Sequence, residues 1–124
     1  MKRIIKTDKA PAAIGPYSQA VEINDTLYIS GQLPINVETQ EMPESISDQA
    51  EQVMKNIGII LKEAGYNYNQ VVKSTIFLAD IKDFQKMNEI YGNYYKEDPP
   101  ARSAFEVANL PKGAKIEIET IAVK

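Results

Sequence analysis

Hydrophobic and polar residues alternate in short runs along the first third of the chain, a pattern that predicts β-strands. The segment KRIIKT predicts a short strand, and AVEINDTLYISGQL predicts a hairpin that turns at Asn24–Asp25. Ser30–Gly31 is expected to end or bend the second strand, because a glycine in such a pattern is typical of a bulge or a close backbone approach. Between these segments, APAAIGPYS contains two prolines and a glycine, which predicts an ordered loop or an extended arm.

Apolar residues then recur every three or four positions, which predicts an amphipathic helix from Ser45 to Ala64. The residues on its apolar side are Ala50, Val53, Met54, Ile57, Ile60, Leu61 and Ala64. Ser45 together with Asp48 resembles a capping box at the start of this helix, and Gly65 stands where a helix commonly ends.

A second helical pattern follows, with Asp83 as its predicted N-cap and Pro99–Pro100 as its predicted stop. One side of this helix carries a stripe of large residues, namely Phe84, Met87, Tyr91, Tyr94 and Tyr95. Large residues at helical spacing most often belong to a protein core, so the stripe is interpreted as core packing.

Three further segments are rich in β-branched and apolar residues and predict strands. QVVKSTIFLADI is interpreted as a strand buried on much of both faces, and ARSAFEVA is joined to AKIEIETIAV by NLPKG. The order of elements predicts one α+β domain spanning residues 1–124, with both helices on one face of a largely antiparallel sheet. The other face would keep a large apolar patch, which association with another subunit would cover.

Composition narrows the classes of function. The chain has 124 residues, a formal net charge of −3 and a pI near 5.0, which argue against a general binder of nucleic acid or anionic membranes. The N-terminal segment lacks the features of a signal peptide, and no apolar run reaches the length of a membrane span. A cytoplasmic protein is therefore expected.

The chain contains neither cysteine nor histidine. This excludes disulfides, thiol nucleophiles and cysteine-based metal sites. It also removes the commonest general base, the Ser–His nucleophilic pair and the commonest metal ligand. If the chain is an enzyme, Glu, Asp, Tyr, Lys, backbone groups or water must move the protons.

Arg102, in the segment PPARSAF, is one of only two arginines in the chain. A guanidinium binds a carboxylate through two parallel hydrogen bonds, which a lysine ammonium cannot do. Strand alternation places Arg102, Ala104 and Glu106 on one face. Two interpretations remain open: a structural ion pair with Glu106 or with a glutamate of the last strand, and a binding site for a carboxylate ligand.

In the last predicted strand, Glu117 and Glu119 share one face with Ile121 and Val123. This pattern is typical of a strand that passes from the core into solvent. Alternatively, one of the two glutamates enters a pocket at an interface, where desolvation raises its pKa and suits it to proton transfer.

Two features nearer the N-terminus also have a structural and a functional interpretation. Tyr17 follows the AIGP turn, and either packs with its hydroxyl satisfied or lends a phenol to a pocket. Ser30 and Gly31 form either an ordinary strand end or a place where a backbone N–H or a hydroxyl meets a ligand. No phosphate-binding loop, dinucleotide fingerprint or metal-ligand spacing occurs in the sequence.

Four segments taken together resemble the RidA/YjgF family. They are APAAIGPYSQA near the start, ISGQLP after the hairpin, DFQKMNEIYGNYY in the second helix and PPARSAFEVANLPKGAKIEIETIA at the end. They occur in the family's order and nearly in register, and the resemblance covers essentially the whole chain. The last segment is long and specific.

The resemblance implies a chorismate-mutase-like α+β fold, assembled as a homotrimer with clefts between the subunits. It also implies an enamine/imine deaminase that needs no cofactor. Members of the RidA subgroup hydrolyse 2-aminoacrylate-type enamines and 2-imino acids, among them 2-iminobutanoate and 2-iminopropanoate, to 2-oxo acids and ammonia.

The resemblance also assigns roles to individual residues. Arg102 corresponds to the family's carboxylate-binding arginine, and Glu117 to the acidic residue that positions or activates water. The residues that correspond to the substrate-pocket lining are Tyr17, Ser30, Gly31 and Asn88. Many relatives carry a cysteine where this chain has Ala104, so a thiol role at this substrate-binding position is excluded here, whereas a backbone role is not.

Two other functions remain open at this point. One is a non-catalytic or chaperone-like member that binds small 2-oxo or 2-imino acids in the same clefts. The other is an RNA-directed role, which has been attributed to some relatives. The acidic pI and the lack of histidine argue against a ribonuclease with a basic groove.

Overall fold

The computed structural model describes residues 1–124 and contains six strands and two helices. In chain order the elements are β1 (Arg3–Ile5), β2 (Ala20–Ile23), β3 (Thr26–Gln32), α1 (Ile46–Ala64), β4 (Val71–Leu78), α2 (Phe84–Gly92), β5 (Ala101–Glu106) and β6 (Ile116–Val123). Short 3₁₀ turns lie at Tyr68–Gln70, Ile81–Asp83 and Pro111–Gly113. The predicted α+β class is confirmed.

The strands form one sheet in the order β1-β2-β3-β6-β4-β5. All neighbouring strands are antiparallel except β4 and β5, which are parallel and are connected through α2. The largely antiparallel sheet is therefore as predicted. The last two strands follow each other in sequence but do not pair, because β6 lies between β3 and β4.

The predicted hairpin is confirmed, and its turn has a clear physical cause. Asn24 and Asp25 both adopt left-handed backbone conformations, with φ of 48° and 60°. Two such residues in succession are typical of the type I′ turn, whose twist matches that of the flanking strands. Further along β3, the pairing register with β6 shifts between Ile29 and Gln32, which places the predicted bulge at Ser30–Gly31.

Helix α1 begins at its predicted N-cap and ends at its predicted glycine, but the second hydrogen bond of a capping box, to the Asp48 side chain, is not formed. The Ser45 hydroxyl oxygen accepts a hydrogen bond from the Asp48 backbone N–H at 3.1 Å, which satisfies one of the free donors of the first turn. Gly65 ends the helix in the left-handed conformation, with φ of 85°. The apolar side of α1 is fully buried against the sheet and is the centre of the core.

Helix α2 differs from its prediction at both ends. Asp83 makes no capping hydrogen bond, because it already has helical dihedral angles as part of the 3₁₀ turn that leads into α2; Asp80 instead accepts from the Lys82 N–H. The helix ends at Gly92, well before Pro99–Pro100, where glycine and the following asparagine both have low helix propensity. The core-packing interpretation holds for Met87, Tyr91 and Tyr95, which are buried.

The two faces of the sheet have different environments. Side chains on the helix face, such as Leu27, Ile76 and Ile118, are fully buried beneath the helices. The opposite face is called the open face here; on it Tyr28 is 49% exposed and Phe105 44% exposed. The prediction that strand β4 is buried on much of both faces is wrong for the single chain, in which only Val71, Ser74, Ile76 and Leu78 are buried. Neither helix has the length and apolarity of a membrane span.

Candidate active site

A cleft of about 640 Å³ lies at the end of the sheet where β3 bulges away from β6. Glu117 from β6 lies in its wall, and so does Glu119, two residues further along the same face. The residues that line the cleft are Pro11, Ala12, Ile14, Tyr17, Gln19, Ser30, Gly31, Gln32, Leu33, Ile35, Pro111, Lys112, Glu117 and Glu119. The cleft therefore brings together four predicted site residues: Tyr17, Ser30, Gly31 and Glu117.

The Glu117 carboxylate lies directly against Gly31 and leaves no room for a side chain at this position. A Cβ atom built on Gly31 would overlap the Oε2 atom of Glu117 and crowd its carboxyl carbon. Any other residue at position 31 would therefore push this carboxylate out of its present position. Such close approach is a common reason for glycine within a strand, and it agrees with the expectation from the sequence.

Burial and charge both act on the acidity of Glu117. Desolvation raises its pKa above the usual carboxyl value, and the negative charge of Glu119 raises it further. A carboxylate with a raised pKa is a stronger base once it is ionised, and so is better suited to accept a proton near neutral pH. This electrostatic environment agrees with the pocket interpretation of Glu117 rather than with a strand that simply enters solvent.

The arm that precedes β2 is held in place by one buried side chain, Gln19. Its Oε1 atom accepts from the Thr7 N–H at 2.7 Å, and its Nε2 atom donates to the carbonyls of Thr7 and Pro11 at 2.9 and 2.8 Å. These bonds fix the path of the segment that carries Tyr17, whose side chain is half exposed at the cleft.

Ser30 has less donor capacity for a ligand than its sequence position suggested. Its backbone N–H donates to the Gln19 carbonyl at 2.9 Å, and its hydroxyl donates to the Ser18 carbonyl at 2.6 Å. Both donors are thus used within the chain, and Ser30 contributes to the cleft mainly by tying the arm to β3.

Arg102 lies elsewhere, on β5 and beneath α2. Its Nη1 atom donates to the Asn88 Oδ1 atom at 2.6 Å, and its guanidinium carbon lies 5.3 Å from the centre of the Phe84 ring and 5.1 Å from that of Tyr91. The two ion pairs of the chain both involve Glu22, so the structural ion pair considered for Arg102 is not formed. Glu106 instead accepts from the Ile81 N–H.

Arg102 and Asn88 border a second cavity of about 450 Å³. Its remaining walls come from the end of α2 and the segment that follows it: Tyr91, Gly92, Tyr95, Pro99 and Pro100. Ala104, the other predicted binding residue of β5, packs against the core on the helix side and does not line this cavity.

Within one chain, the predicted residues at the cleft of Glu117 are separated from those at the cavity of Arg102. Strand pairing aligns Arg102 with Ser74 on the helix face, whereas it aligns Glu117 with Phe77 on the open face. Three residues along β4 span roughly 10 Å and two strand spacings also span roughly 10 Å, so the backbones of Arg102 and Glu117 are about 14 Å apart. Their side chains, moreover, leave the sheet in opposite directions.

Sequence reasoning missed several residues that line these cavities or contact Arg102. Phe84 and Tyr91 were assigned to the core, although their spacing with Asn88 on one side of α2 was a signal that they meet the same neighbour. Gln19 and Lys112 had no signal at all in the sequence. No cluster of three or more acidic residues is close enough together to hold a metal ion.

Comparison with known proteins identifies the family of the chain. Residues 7–124 match the family model described as Endoribonuclease L-PSP. The chain is 50% identical to the 2-iminobutanoate/2-iminopropanoate deaminase of Mus musculus over 100% of this chain and 93% of the mouse protein.

Two solved structures extend the comparison. YyfA of Yersinia pestis, from the conserved Rid protein family, superposes with a TM-score of 0.97 at 48% identity over the full length of both chains. E. coli TdcF with bound serine has a TM-score of 0.93 at 40% identity over 98% of each chain. The chain therefore belongs to the RidA/YjgF family.

Proposed function

We propose that this protein is a 2-iminobutanoate/2-iminopropanoate deaminase, which hydrolyses 2-imino acids and the related enamines to 2-oxo acids and ammonia. The observation that carries the proposal is the state of Arg102. Its guanidinium is held by α2 beside an open cavity and has no carboxylate partner in the chain. A 2-imino acid supplies such a carboxylate, and the 50% identical mouse protein is named for this activity.

The proposal includes an active site made by two subunits. The carboxylate and the imine carbon of a 2-imino acid are directly bonded, so the groups that bind one and hydrate the other must lie within a small molecule's length. Arg102 and Glu117 of one chain are too far apart for this, and they face opposite sides of the sheet. Arg102 of one subunit therefore serves together with Glu117 of its neighbour.

A homotrimer is the assembly proposed for this purpose. The open face carries exposed apolar side chains, among them Tyr28, Phe105 and Val123, and monomers rarely leave such a surface in water. Contact through this face would bury these side chains and bring the cleft at Glu117 next to another subunit. A closed ring would repeat the same site at each interface.

In the proposed reaction, Arg102 binds the substrate carboxylate through two parallel hydrogen bonds and so fixes the position of the adjacent imine carbon. E. coli TdcF, a relative, was solved with bound serine. In serine, as in a 2-imino acid, a carboxylate is bonded directly to the carbon that carries the nitrogen. Asn88 holds the guanidinium through its Oδ1 atom, which leaves the remaining N–H groups for substrate.

Glu117 then acts on water. Its carboxylate accepts a proton as a water molecule attacks the imine carbon, which yields a carbinolamine. For the protonated imine, the same carboxyl group returns this proton to the amino nitrogen of the carbinolamine. The C–N bond then breaks with its electron pair leaving on ammonia, while the hydroxyl proton passes to the Glu117 carboxylate and the C=O bond of the 2-oxo acid forms. Transfer of that proton to the released ammonia leaves Glu117 ionised again. The raised pKa of Glu117 suits these proton transfers. Imines already hydrolyse in water, so the required reduction of the barrier is small for an enzyme.

A coupled assay tests the proposed function. A threonine dehydratase generates 2-iminobutanoate in the cuvette, and semicarbazide traps whatever imine is not hydrolysed first. The protein is expected to lower the yield of semicarbazone in proportion to its concentration. An unchanged yield, together with calorimetric binding of 2-oxobutanoate, would instead identify a non-catalytic member that binds small carboxylates.

A further inference from the structure

Three residues on one side of α2 make contact with the guanidinium of Arg102. Phe84 and Tyr91 present their rings at 5.3 and 5.1 Å from the guanidinium carbon, and Asn88 between them accepts its hydrogen bond. The intervals of four and three residues place all three side chains on the same side of a helix. A positive charge over an aromatic face at these distances is an attractive cation–π contact.

Tyr91 is itself fixed by its neighbours. Its ring packs against that of Tyr95, with centroids 4.8 Å apart. Its hydroxyl belongs to a set of four buried hydroxyl groups without a hydrogen-bond partner in the protein, called the hydroxyl cluster here: Ser74, Tyr91, Tyr95 and Thr120. All four residues are less than 10% exposed, and buried groups of this kind are usually satisfied by bound water.

Two members of the hydroxyl cluster, Ser74 and Thr120, lie in the same row of paired strand residues as Arg102. Ser74 of β4 pairs with Arg102 on one side and with Thr120 of β6 on the other. Burial raises the pKa of Tyr91, whereas the Ser74 hydroxyl and the Arg102 charge lower it. Burial and the contact with Tyr95 thus limit the movement of the Tyr91 ring beside Arg102.

We propose that Phe84 and Tyr91 form an aromatic clamp that positions Arg102 for the substrate carboxylate. A single hydrogen bond to Asn88 leaves a long arginine side chain several ways to turn. Two ring contacts on the same helix remove much of this freedom before the ligand arrives, and such preorganisation favours binding. Phe84 and Tyr91 are therefore positioning residues that act through Arg102, and this role rests on the proposed function of Arg102 as the carboxylate-binding group.

The chain offers a direct measurement of the clamp, because it has only two arginines, Arg3 and Arg102. Protein labelled with ¹³C,¹⁵N-arginine should give two Nε–Hε signals by NMR, and the variant Arg3→Lys assigns them. Ring currents are expected to move the side-chain proton signals of Arg102 to lower frequency. Arg3, bonded to Glu22 and to the Ala64 carbonyl, is the internal reference.

Removal of the rings should release Arg102. In Phe84→Leu and Tyr91→Leu the Arg102 signals are expected to shift towards the position of a free arginine, while the Arg3 signals stay in place. Tyr91→Phe keeps the ring and should keep most of the shift. Phe84 is only half-buried, so Phe84→Leu tests the clamp even if the loss of Tyr91 prevents folding.

Ligand binding provides the second readout. Calorimetry with 2-oxobutanoate should show a dissociation constant about three- to thirtyfold higher in each leucine variant, the range expected for loss of a cation–π contact. Tyr68→Leu is the matched control, since Tyr68 stacks on Tyr94 and Tyr95 but does not contact Arg102. It is expected to bind within about twofold of the parent, well below the effect of a lost cation–π contact.

The outcomes separate the clamp from the proposed function. Arg102 signals that stay in place in both leucine variants would overturn the clamp, and so would a Tyr91→Phe protein as impaired as Tyr91→Leu. An equal loss of 2-oxobutanoate binding in Tyr68→Leu would show that Phe84 and Tyr91 act only through packing of the core. A parent protein that shows the ring-current shifts but no deaminase activity would refute the proposed function and leave the clamp intact.

Discussion

At the scale of single residues, the arginine at position 102 and the glutamate at position 117 occupy environments that fit opposite tasks. Arg102 is presented beside an open cavity by one hydrogen bond and two rings, with no acidic partner. Glu117 is half-buried, lies against a glycine and has a raised pKa. The first environment suits binding of an anion and the second suits transfer of a proton.

Arg102→Lys tests whether the planar guanidinium is needed rather than a positive charge alone. A lysine cannot form the two parallel bonds, and a hydrogen bond between charged groups contributes about 1.5–3 kcal/mol, or roughly ten- to hundredfold in substrate handling. With misplacement of the imine carbon, kcat/KM should fall by about two orders of magnitude or more. Arg3→Lys, which changes the other arginine, should leave activity unaltered. A deaminase rate within about threefold of the parent would contradict the carboxylate-binding role.

Glu117→Gln is expected to lose activity without losing stability. Removal of a general base lowers the rate by about a hundredfold or more. The pKa of Glu117 is raised in the folded chain, so folding favours its protonated form, and the ionised side chain destabilises the protein as pH rises through that pKa. Scanning calorimetry at pH 7 should therefore give a Tm for this variant no lower than that of the parent. A large fall in Tm with full activity would make Glu117 a structural residue.

Glu119→Gln should alter the pH profile rather than the rate at its maximum. Glu117 must be ionised to accept a proton, so kcat/KM falls on the acid side as pH drops through its pKa. The charge of Glu119 raises that pKa, and its removal should move the acid limb to lower pH. The limb should stay above the range of a free carboxyl, since burial is the larger cause. Glu106→Gln, which removes a carboxylate from outside the cleft, is the control and should not move it.

At the scale of elements, the N-terminal arm is held in its conformation by the side chain of Gln19. Four hydrogen bonds of this one side chain replace the regular pairing that the arm lacks, and they place Tyr17 at the cleft. The arm is thus an ordered element without being a strand or a helix. Its order rests on a buried amide rather than on any periodic pattern.

Gln19→Leu should loosen the arm while the sheet remains folded. The backbone groups of Thr7 and Pro11 would lose their partners, and each buried group left unsatisfied costs about 1–3 kcal/mol. Hydrogen exchange at the Thr7 amide should become at least about tenfold faster, and KM should rise because the arm forms one wall of the cleft. Gln49→Leu removes another buried glutamine, bonded to Pro43 and Lys115, and should leave Thr7 protected.

Helix α2 shows how one element serves two purposes. Met87 and Tyr91 are buried in the core, while Phe84, Asn88 and Tyr91 contact Arg102. Tyr91 belongs to both groups. The stability of the core and the position of the guanidinium are therefore coupled through this buried side chain.

At the scale of the whole molecule, the separation of Arg102 from Glu117 makes a prediction that does not depend on either residue alone. If the site combines Arg102 of one subunit with Glu117 of another, Arg102→Lys and Glu117→Gln chains can complement each other. Random mixing of equal amounts regenerates about one intact site in four, because half of the subunits carry each required residue. Co-expressed, differently tagged variants should recover roughly this share of parental activity.

Light scattering on the same samples supplies the control. The parent and the mixed sample should both have the mass of a trimer at micromolar concentration. A stable monomer, or a mixed trimer without recovered activity, would contradict the shared site. Each variant expressed alone, as the control, should remain inactive.

Much of the molecule follows from the order of residues alone. Both helices, all six strands, the Asn24–Asp25 turn and the ends of α1 can be read from local patterns, since caps, turns and periodicity depend on neighbours in sequence. The alternation within β5 and within β6 was also predicted correctly. The family resemblance then singled out Arg102 and Glu117, which local patterns left ambiguous.

Only the tertiary structure decided how those two residues are related in space. Alternation tells which side chains of one strand share a face, but the face itself depends on which strands pair and in what register. Here β6 inserts between β3 and β4, so that β4 separates it from its sequence neighbour β5, and this pairing puts Arg102 and Glu117 on opposite faces. The contacts of Arg102 with Phe84 and Tyr91 likewise join segments that no local pattern connects. Long-range pairing is set by burial of the whole core, and a stretch of sequence taken by itself does not contain it.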